Sequence, residues 1–169
     1  MRNKENSKDF DLVLEDILKN KQVNKMKDYI QHYDISCFDH CYDVAKVTYN
    51  ACLFLHLDYV EATRAAMLHD MFLYDWRVKS YSRKGWHGFR HPSISLSKAE
   101  KEFDLSEKEK DIILKHMWPL TIIPPKSIEG FIVTLADKYI TLKEAFLHYE
   151  ESHLLRHSYI LWAIILFKI

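Results

Sequence analysis

Apolar residues recur at helical spacing along most of this 169-residue chain, and few residues interrupt the pattern. Only three Gly and four Pro are present, and a low content of both with a 3.6-residue period is typical of helical proteins. The length suits one domain with a substantial core. We therefore predict an all-α fold in a single domain over residues 1–169. Within it we expect an N-terminal helical segment over residues 8–32, a core over about residues 30–145, and an apolar C-terminal helix over about residues 150–169.

Capping residues predict where the internal helices begin. Ser and Asp side chains accept hydrogen bonds from the free backbone N–H groups of a first helical turn, and Pro is favoured at the first helical position. Helices are therefore expected after Ser36 and Asp58, at His91–Pro92, and after Ser106, where a capping box is present. A last long helix, or a helix pair, is expected from about residue 128 onwards.

The helical period is lost between residues 73 and 91, where aromatic and basic residues concentrate. Long connections without secondary structure inside a compact domain are usually functional or disordered, and the many aromatics favour an ordered flap. The basic side chains are candidate phosphate contacts, or they only solvate the loop. The aromatic rings are candidate platforms for a base, or they only pack the flap. The phosphate candidates are Arg83, Lys84 and Arg90, and the ring candidates are Trp76, Tyr81 and Trp86.

Composition restricts the partners and the compartment. The formal net charge is zero, which argues against a general nucleic-acid binder. The odd number of cysteines, three, predicts no disulfide framework and favours a cytoplasmic protein. No signal peptide is visible, and the apolar run over residues 159–167 is too short for a transmembrane segment. This run is expected to be a docked terminal helix, with an oligomer contact or a membrane-surface anchor as alternatives.

Helices with otherwise apolar faces carry polar residues at four places: His40, the pair His69–Asp70, His116 and Asp137. A buried carboxylate without a partner is costly, so Asp137 should either be paired with a basic side chain or bind a metal. Imidazole and carboxylate groups together are typical ligands of divalent ions. The recurrence of such residues on several helices favours the metal interpretation.

These residues carry a resemblance to a known family. His40, then Leu68-His69-Asp70, then Ala136-Asp137-Lys138, in this order and on helices, resemble the HD superfamily of metal-dependent phosphohydrolases. The resemblance covers about residues 30–145. It implies an HD-domain helical bundle in which His40, His69, Asp70 and Asp137 bind one divalent metal.

Two further histidines resemble those of a two-metal subset of this superfamily. His91 and His116 lie between the central pair and the last Asp, as in the bacterial HD-type symmetrical diadenosine tetraphosphate hydrolases. The two-metal cyclic-dinucleotide phosphodiesterases are also similar, but their Gly-Tyr-Pro signature is absent. The resemblance implies that Asp70 bridges two metals and that His91 and His116 bind the second. His87 competes with His91 as a ligand of the second metal. We prefer His91, because it is the residue expected to open a helix. His87 is then a candidate substrate contact.

The expected reaction follows from these parts. Two cations about 3.5–4 Å apart clamp a phosphate and activate a water that attacks phosphorus. We therefore predict hydrolysis of a phosphate ester or anhydride of a small molecule, a nucleotide in the first instance. Asp70 and Lys138 are the candidate catalytic residues, although Lys138 could instead form a structural ion pair. One or two divalent ions are expected, from Fe, Mn, Co, Ni, Zn or Mg.

Two alternative functions are a mononuclear nucleoside-monophosphate phosphatase and a metal-binding regulatory or interaction domain without turnover. A homo-oligomer is possible.

Overall fold

Helices make up most of the chain, which confirms the predicted all-α fold class. The structure, a computed structural model, describes residues 10–78 and 86–166, and it describes side chains as far as residue 150. Arg83, Lys84 and Tyr81 of the predicted flap therefore lie outside the described residues. A helical stretch over residues 10–13 comes before α1 (Glu15–Lys19), α2 (Lys21–Asn24), α3 (Cys37–Phe54), α4 (Tyr59–Leu68), α5 (His87–Glu102), α6 (Glu107–Lys115) and α7 (Ile128–Leu166).

The segment between α2 and α3 differs from the helical segment predicted over residues 8–32. A 3₁₀ helix over Lys25–Asp28 leads into an antiparallel hairpin of β1 (Ile30–His32) and β2 (Ile35–Ser36). Tyr33 in the connecting turn has a φ of 52°, the left-handed conformation that such tight turns require. The aromatic and β-branched residues around Gln31 suit a strand better than a helix. The hairpin turns Gln31 towards the interior, where it is buried.

The central helix α3 begins at the residue that its cap predicts. The Ser36 hydroxyl accepts a hydrogen bond from the backbone N–H of Asp39 at 3.1 Å, so one free donor of the first turn is satisfied. Packing of α3 against α4 and α7 buries its apolar face. The three cysteines on or near this face are buried free thiols. The interior of the bundle therefore lies between these three helices.

The start of α5 corrects another prediction. This helix begins at His87, so His91 lies one turn inside it and Pro92 stands within the helix. A Pro at this position removes one hydrogen bond of the helical ladder. The preceding Gly88 and Phe89 extend the helix towards the flap, which the His91–Pro92 signal did not reveal. His87, and not His91, is therefore the histidine that opens the helix.

Two helices end directly before a histidine, and this arrangement brings their ends together. His69 is the C-cap of α4 and His116 is the C-cap of α6. These helices pack against one another, and the centroids of the two imidazole rings are 4.8 Å apart. The helix ends thus place two imidazoles, and the adjacent Asp70, in one buried region.

The long helix α7 has a buried face and an exposed face. Its inner side buries Val133, Asp137, Ile140 and Glu144 against the bundle. Its outer side exposes large apolar residues. Across the residues that the structure describes, no helix has both the length and the apolar content that crossing a membrane requires.

Candidate metal centre

Three helices contribute one group of buried ligand-type atoms. Nε2 of His40, from α3, lies 3.3 Å from Oδ1 of Asp137, from α7. Nε2 of His69 lies 3.7 Å from the same oxygen and 3.5 Å from Oδ2 of Asp70. Separations of this size between nitrogen and oxygen atoms are those of ligands that share one cation at about 2.0–2.2 Å. These four side chains therefore form the first candidate ligand group.

A second group shares Asp70 with the first. Oδ1 of Asp70 lies 3.1 Å from Nε2 of His91 and 3.5 Å from Nε2 of His116. The two imidazole nitrogens are themselves 2.8 Å apart. The two oxygens of one carboxylate thus face two different sets of histidines. This is the arrangement that a bridging carboxylate between two cations requires.

The outer nitrogens of three histidines determine which nitrogen faces the centre. In each case Nδ1 lies within hydrogen-bond distance of a backbone carbonyl in the same or the preceding helical turn. A carbonyl can only accept, so Nδ1 carries a proton and Nε2 is the nitrogen that each neutral ring would offer to a cation. The pairs are His69 with Ala66 at 2.7 Å, His91 with His87 at 3.0 Å and His116 with Ile113 at 2.8 Å.

Electrostatics keep the carboxylates ionised and His116 neutral. Burial opposes charge on Asp70, but the neighbouring His69 and His91 outweigh it and hold the pKa of Asp70 well below its usual range. Burial lowers the pKa of His116 to about 3, with a further contribution from charge on His69. Although burial also opposes charge on His69, the carboxylate of Asp70 raises the pKa of His69 well above its usual value. A cation would therefore compete with a proton at His69.

Unsatisfied buried atoms support a bound cation. Within the described part of the chain, Nε2 of His69 and Oδ1 of Asp70 are buried without a hydrogen-bond partner. A buried polar atom left without a partner costs about 1–3 kcal/mol. Both atoms point into the shared cluster, and a divalent ion would satisfy both with donor types that it prefers. The residues present thus fit a metal site.

The geometry separates His91 from its competitor His87. Nε2 of His91 reaches Asp70, whereas Nδ1 of His87 lies 2.9 Å from the hydroxyl of Tyr74. His87 also stacks against Trp76, with ring centroids 5.3 Å apart. The structure therefore brings His91 into the cluster and places His87 at its margin, although His87 is the residue that opens the helix.

Sequence reasoning missed two buried residues of this centre. The side-chain amide of Gln31, on β1, donates a hydrogen bond to Oδ2 of Asp70. The carboxylate of Glu144, on α7, lies 2.9 Å from Nδ1 of His40. Gln31 lacks any motif in the sequence, because its burial depends on the hairpin. Glu144 follows Asp137 by two helical turns on the same face, and that spacing was a signal available in the sequence.

A cavity of about 770 Å³ opens beside the cluster. Asp70, His91, Asp137 and Lys138 are among the residues that line it. Among the described residues no carboxylate lies within salt-bridge distance of Lys138, whose ammonium is 3.4 Å from the carbonyl of Thr134. Burial lowers the pKa of Lys138, against the opposing effect of Asp137. Much of the remaining wall is apolar: Trp76, Met117, Pro119, Leu120 and Leu142.

Two of the predicted substrate contacts lie away from this cavity. Trp86 is 81% exposed, and Arg90 is an exposed residue of α5. Neither is among the residues that line the cavity. His87 and Trp76 do line it. The aromatic rings that line the cavity are therefore those of Trp76 and of His87, which lies one helical turn before His91.

The helical bundle brings together buried histidine and aspartate side chains that could hold a metal ion. Residues 37–142 match the family model of the HD domain, which is more than half of the chain. The chain therefore belongs to the HD domain family, and the resemblance read from the sequence is confirmed at this level. Members of this superfamily are metal-dependent phosphohydrolases. No curated protein and no solved structure matches the chain significantly.

Proposed function

We propose that this chain hydrolyses a phosphate ester or anhydride at a dinuclear metal centre. The observation that carries the proposal is the position of Asp70, whose two oxygens face different sets of histidines. His40, His69 and Asp137 would hold one divalent ion together with Asp70. His91 and His116 would hold the second from its other oxygen.

The residues of the chain have separable roles in this reaction. Divalent ions at such a centre lower the pKa of a water and neutralise charge on a phosphate. Asp70 fixes the spacing of the two sites, and the amide of Gln31 holds its carboxylate in place. Lys138 lines the cavity, where its ammonium can donate a hydrogen bond to a phosphate oxygen. A half-buried lysine that pairs with no carboxylate of the described residues is suited to that contact.

The cavity supports an organic phosphate as the substrate. Its volume of about 770 Å³ falls within the ~300–1,000 Å³ that is usual for sites of drug-sized ligands. The apolar wall contains the indole of Trp76, which can stack on a planar base. We therefore propose that the substrate is a nucleotide. The order of the proposed metal ligands in the chain resembles that of the HD-type symmetrical diadenosine tetraphosphate hydrolases. Arg83 and Lys84, which lie outside the described residues, remain proposed phosphate contacts together with Arg90, and Trp86 remains a proposed stacking contact for the base.

The three buried free thiols support a reducing compartment, so we propose that the protein works in the cytoplasm. A homo-oligomer is also proposed, from one face of α7. Its outer stripe consists of exposed apolar residues with spacings of seven, four, three, four and three, which is the pattern of a coiled-coil seam. The outer stripe comprises Ile128, Leu135, Tyr139, Leu142, Phe146 and Tyr149.

Metal analysis and a substrate panel test the proposed reaction. Purified protein should hold about two divalent ions per chain, and Asp70→Ala should remove most of both because Asp70 belongs to both groups. The matched control is Asp34→Ala, which changes an exposed carboxylate of the hairpin turn. Full metal content in Asp70→Ala would contradict the assignment.

The substrate panel, together with the metal content, then distinguishes the three candidate functions. It includes diadenosine tetraphosphate, nucleoside monophosphates and p-nitrophenyl phosphate, each with Mn²⁺. Hydrolysis with about two ions bound supports the dinuclear phosphohydrolase. One ion with hydrolysis of monophosphates alone would favour the mononuclear phosphatase. Bound metal without turnover of any substrate would favour the regulatory domain.

A further inference from the structure

One of the four clustered histidines has a different kind of partner from the others. His69, His91 and His116 each place Nδ1 against a backbone carbonyl of their own segment. His40 instead places Nδ1 2.9 Å from Oε1 of Glu144. The two residues are 104 positions apart in the chain, so this contact joins α3 to α7 and is not a by-product of local helix geometry.

The contact is buried on both sides. The side chain of His40 is 0% exposed and that of Glu144 is 5% exposed. A carboxylate at such a position is costly unless it is hydrogen-bonded, and in the described residues its second oxygen, Oε2, has no partner. A buried apolar residue would fill the same space without that cost. The position of Glu144 therefore points to a role that needs its charge or its acceptor oxygen.

Helix α7 presents two carboxylates to the two nitrogens of one imidazole. Asp137 lies 3.3 Å from Nε2 of His40, and Glu144, two turns later, faces Nδ1. An ionised carboxylate can only accept, so Nδ1 keeps its proton towards Glu144, and a cation bound beside Asp137 and His69 would take the place of the proton on Nε2. Second partners of this kind orient a ligating histidine and strengthen it as a donor.

We propose that Glu144 is a positioning residue for the metal centre. It holds His40 in the tautomer and orientation in which Nε2 can bind the ion shared with His69 and Asp137. This inference rests on the metal site of the proposed function, but it adds a residue outside the predicted ligand set. Glu144 touches neither the substrate cavity nor the second group of ligands, so it acts through His40.

Zinc affinity, measured with Zn²⁺ alone by competition with a chelating dye, tests this role. Glu144→Ala should weaken zinc binding at the site of His40 about 10–100-fold, the usual effect of removing the partner of a ligating histidine. Glu144→Gln keeps an acceptor oxygen without the charge, so it should retain most of the affinity. The control is Glu129→Gln, another buried glutamate of α7, whose carboxylate accepts from the backbone of Asp58 and should not affect zinc.

Nitrogen NMR of histidine-labelled protein supplies a readout that a merely structural role would not move. The zinc-loaded wild type should show His40 with its proton on Nδ1, and in Glu144→Ala at the same zinc concentration a larger share of His40 should carry its proton on Nε2. His40→Asn assigns the signal by its loss. Circular dichroism of each variant verifies folding, and Glu144→Gln provides the same comparison if the alanine variant does not fold.

The outcomes distinguish this inference from the proposed function. Unchanged zinc affinity and an unchanged His40 tautomer in folded Glu144→Ala would overturn the positioning role. Loss of a whole zinc equivalent would overturn it too, since Glu144 would then be a ligand, together with the nearby His32, whose ligand-type atom lies within 4.8 Å of those of His40 and Glu144. If His40→Ala binds zinc as tightly as the wild type, the metal site itself fails, whatever Glu144 does.

Discussion

At the scale of single residues, the ligand set depends on which nitrogen of each imidazole faces the interior. His91 and His87 are four positions apart on α5, so both are on similar faces of the helix. Only His91 reaches Asp70, because His87 contacts Tyr74 and Trp76. His116 belongs only to the second ligand group and lies at the end of α6, which contributes no ligand to the first group. This separation leads to a prediction for His116.

His116→Ala should remove the second ion and leave the first. Metal content should fall from about two ions per chain to about one, because His40, His69, Asp70 and Asp137 remain intact. Hydrolysis should fall on the order of 10²-fold, as when one charge-stabilising group of an active site is lost. Elemental analysis and initial rates measure both changes.

The control for this variant is His148→Ala, which removes an exposed histidine that stacks on Tyr33. It should change neither metal content nor rate. If His116→Ala also retains both ions and full activity, the two-metal proposal is wrong and the mononuclear phosphatase gains support.

At the scale of elements, the sequence predicted the helices that local capping determines. Ser36, Asp58 and Ser106 each accept a hydrogen bond from the third residue that follows, so the starts of α3, α4 and α6 agree with prediction. The hairpin and the early start of α5 were missed, because tertiary packing determines them. Gln31 is buried only once β1 packs on α3, and no period of two over three residues can reveal that. The same limit hid Gln31 from the list of site residues.

Helix α7 begins where a glycine allows close contact with the preceding Pro125. A Cβ placed on Gly130 would lie 2.6 Å from Cβ of Pro125 and 3.4 Å from Cγ1 of Ile112. Real Cβ contacts do not occur at 2.6 Å, and a proline ring cannot rotate away. Gly130→Ala should therefore destabilise the fold, since overpacking costs about 1–3 kcal/mol against about 1 kcal/mol gained in helix propensity.

Thermal or denaturant unfolding of Gly130→Ala measures this difference. The matched control is Gly88→Ala in the first turn of α5. There the nearest atom is Cδ2 of Leu120, at 3.1 Å, and this flexible side chain can move. Gly88→Ala should be neutral or slightly stabilising. Equal stability of Gly130→Ala and the wild type would show that the prolines before α7 shift more readily than this packing implies.

At the scale of the whole molecule, the outer stripe of α7 exposes a row of large apolar side chains. Tyr139, Phe146 and Tyr149 are 58%, 59% and 59% exposed. With about 150–250 Å² per aromatic side chain, the three rings expose roughly 250–450 Å². Leu135, Leu142 and Ile128 extend this area towards the ~800 Å² per partner that a stable interface buries. The same face thus provides much of the area that a second copy would cover.

The charges beside the outer stripe favour association of this face with the same face of a second copy of the chain. Lys143 and Glu150 are exposed and lie one heptad apart on the same edge of the stripe. In an antiparallel two-fold pairing centred between them, Lys143 faces the partner's Glu150, and the reverse pair forms by symmetry. Lys143 also forms an ion pair with Asp43 of its own chain at 3.7 Å, and this exposed pair would exchange for the pair with the partner's Glu150.

Sedimentation equilibrium at micromolar concentration should therefore show a dimer that responds to these charges. Lys143→Glu alone, or Glu150→Lys alone, replaces two attractive pairs with two repulsive ones and should raise the dimer Kd roughly tenfold, since each exposed pair contributes about 0.2–1 kcal/mol. The double variant restores opposite charges and should recover the wild-type Kd.

Phe146→Asp should abolish the dimer, whereas Leu12→Asp, at an exposed apolar residue outside the outer stripe, should not. A monomeric wild type, or a double variant as weak as the single ones, would reject this antiparallel interface.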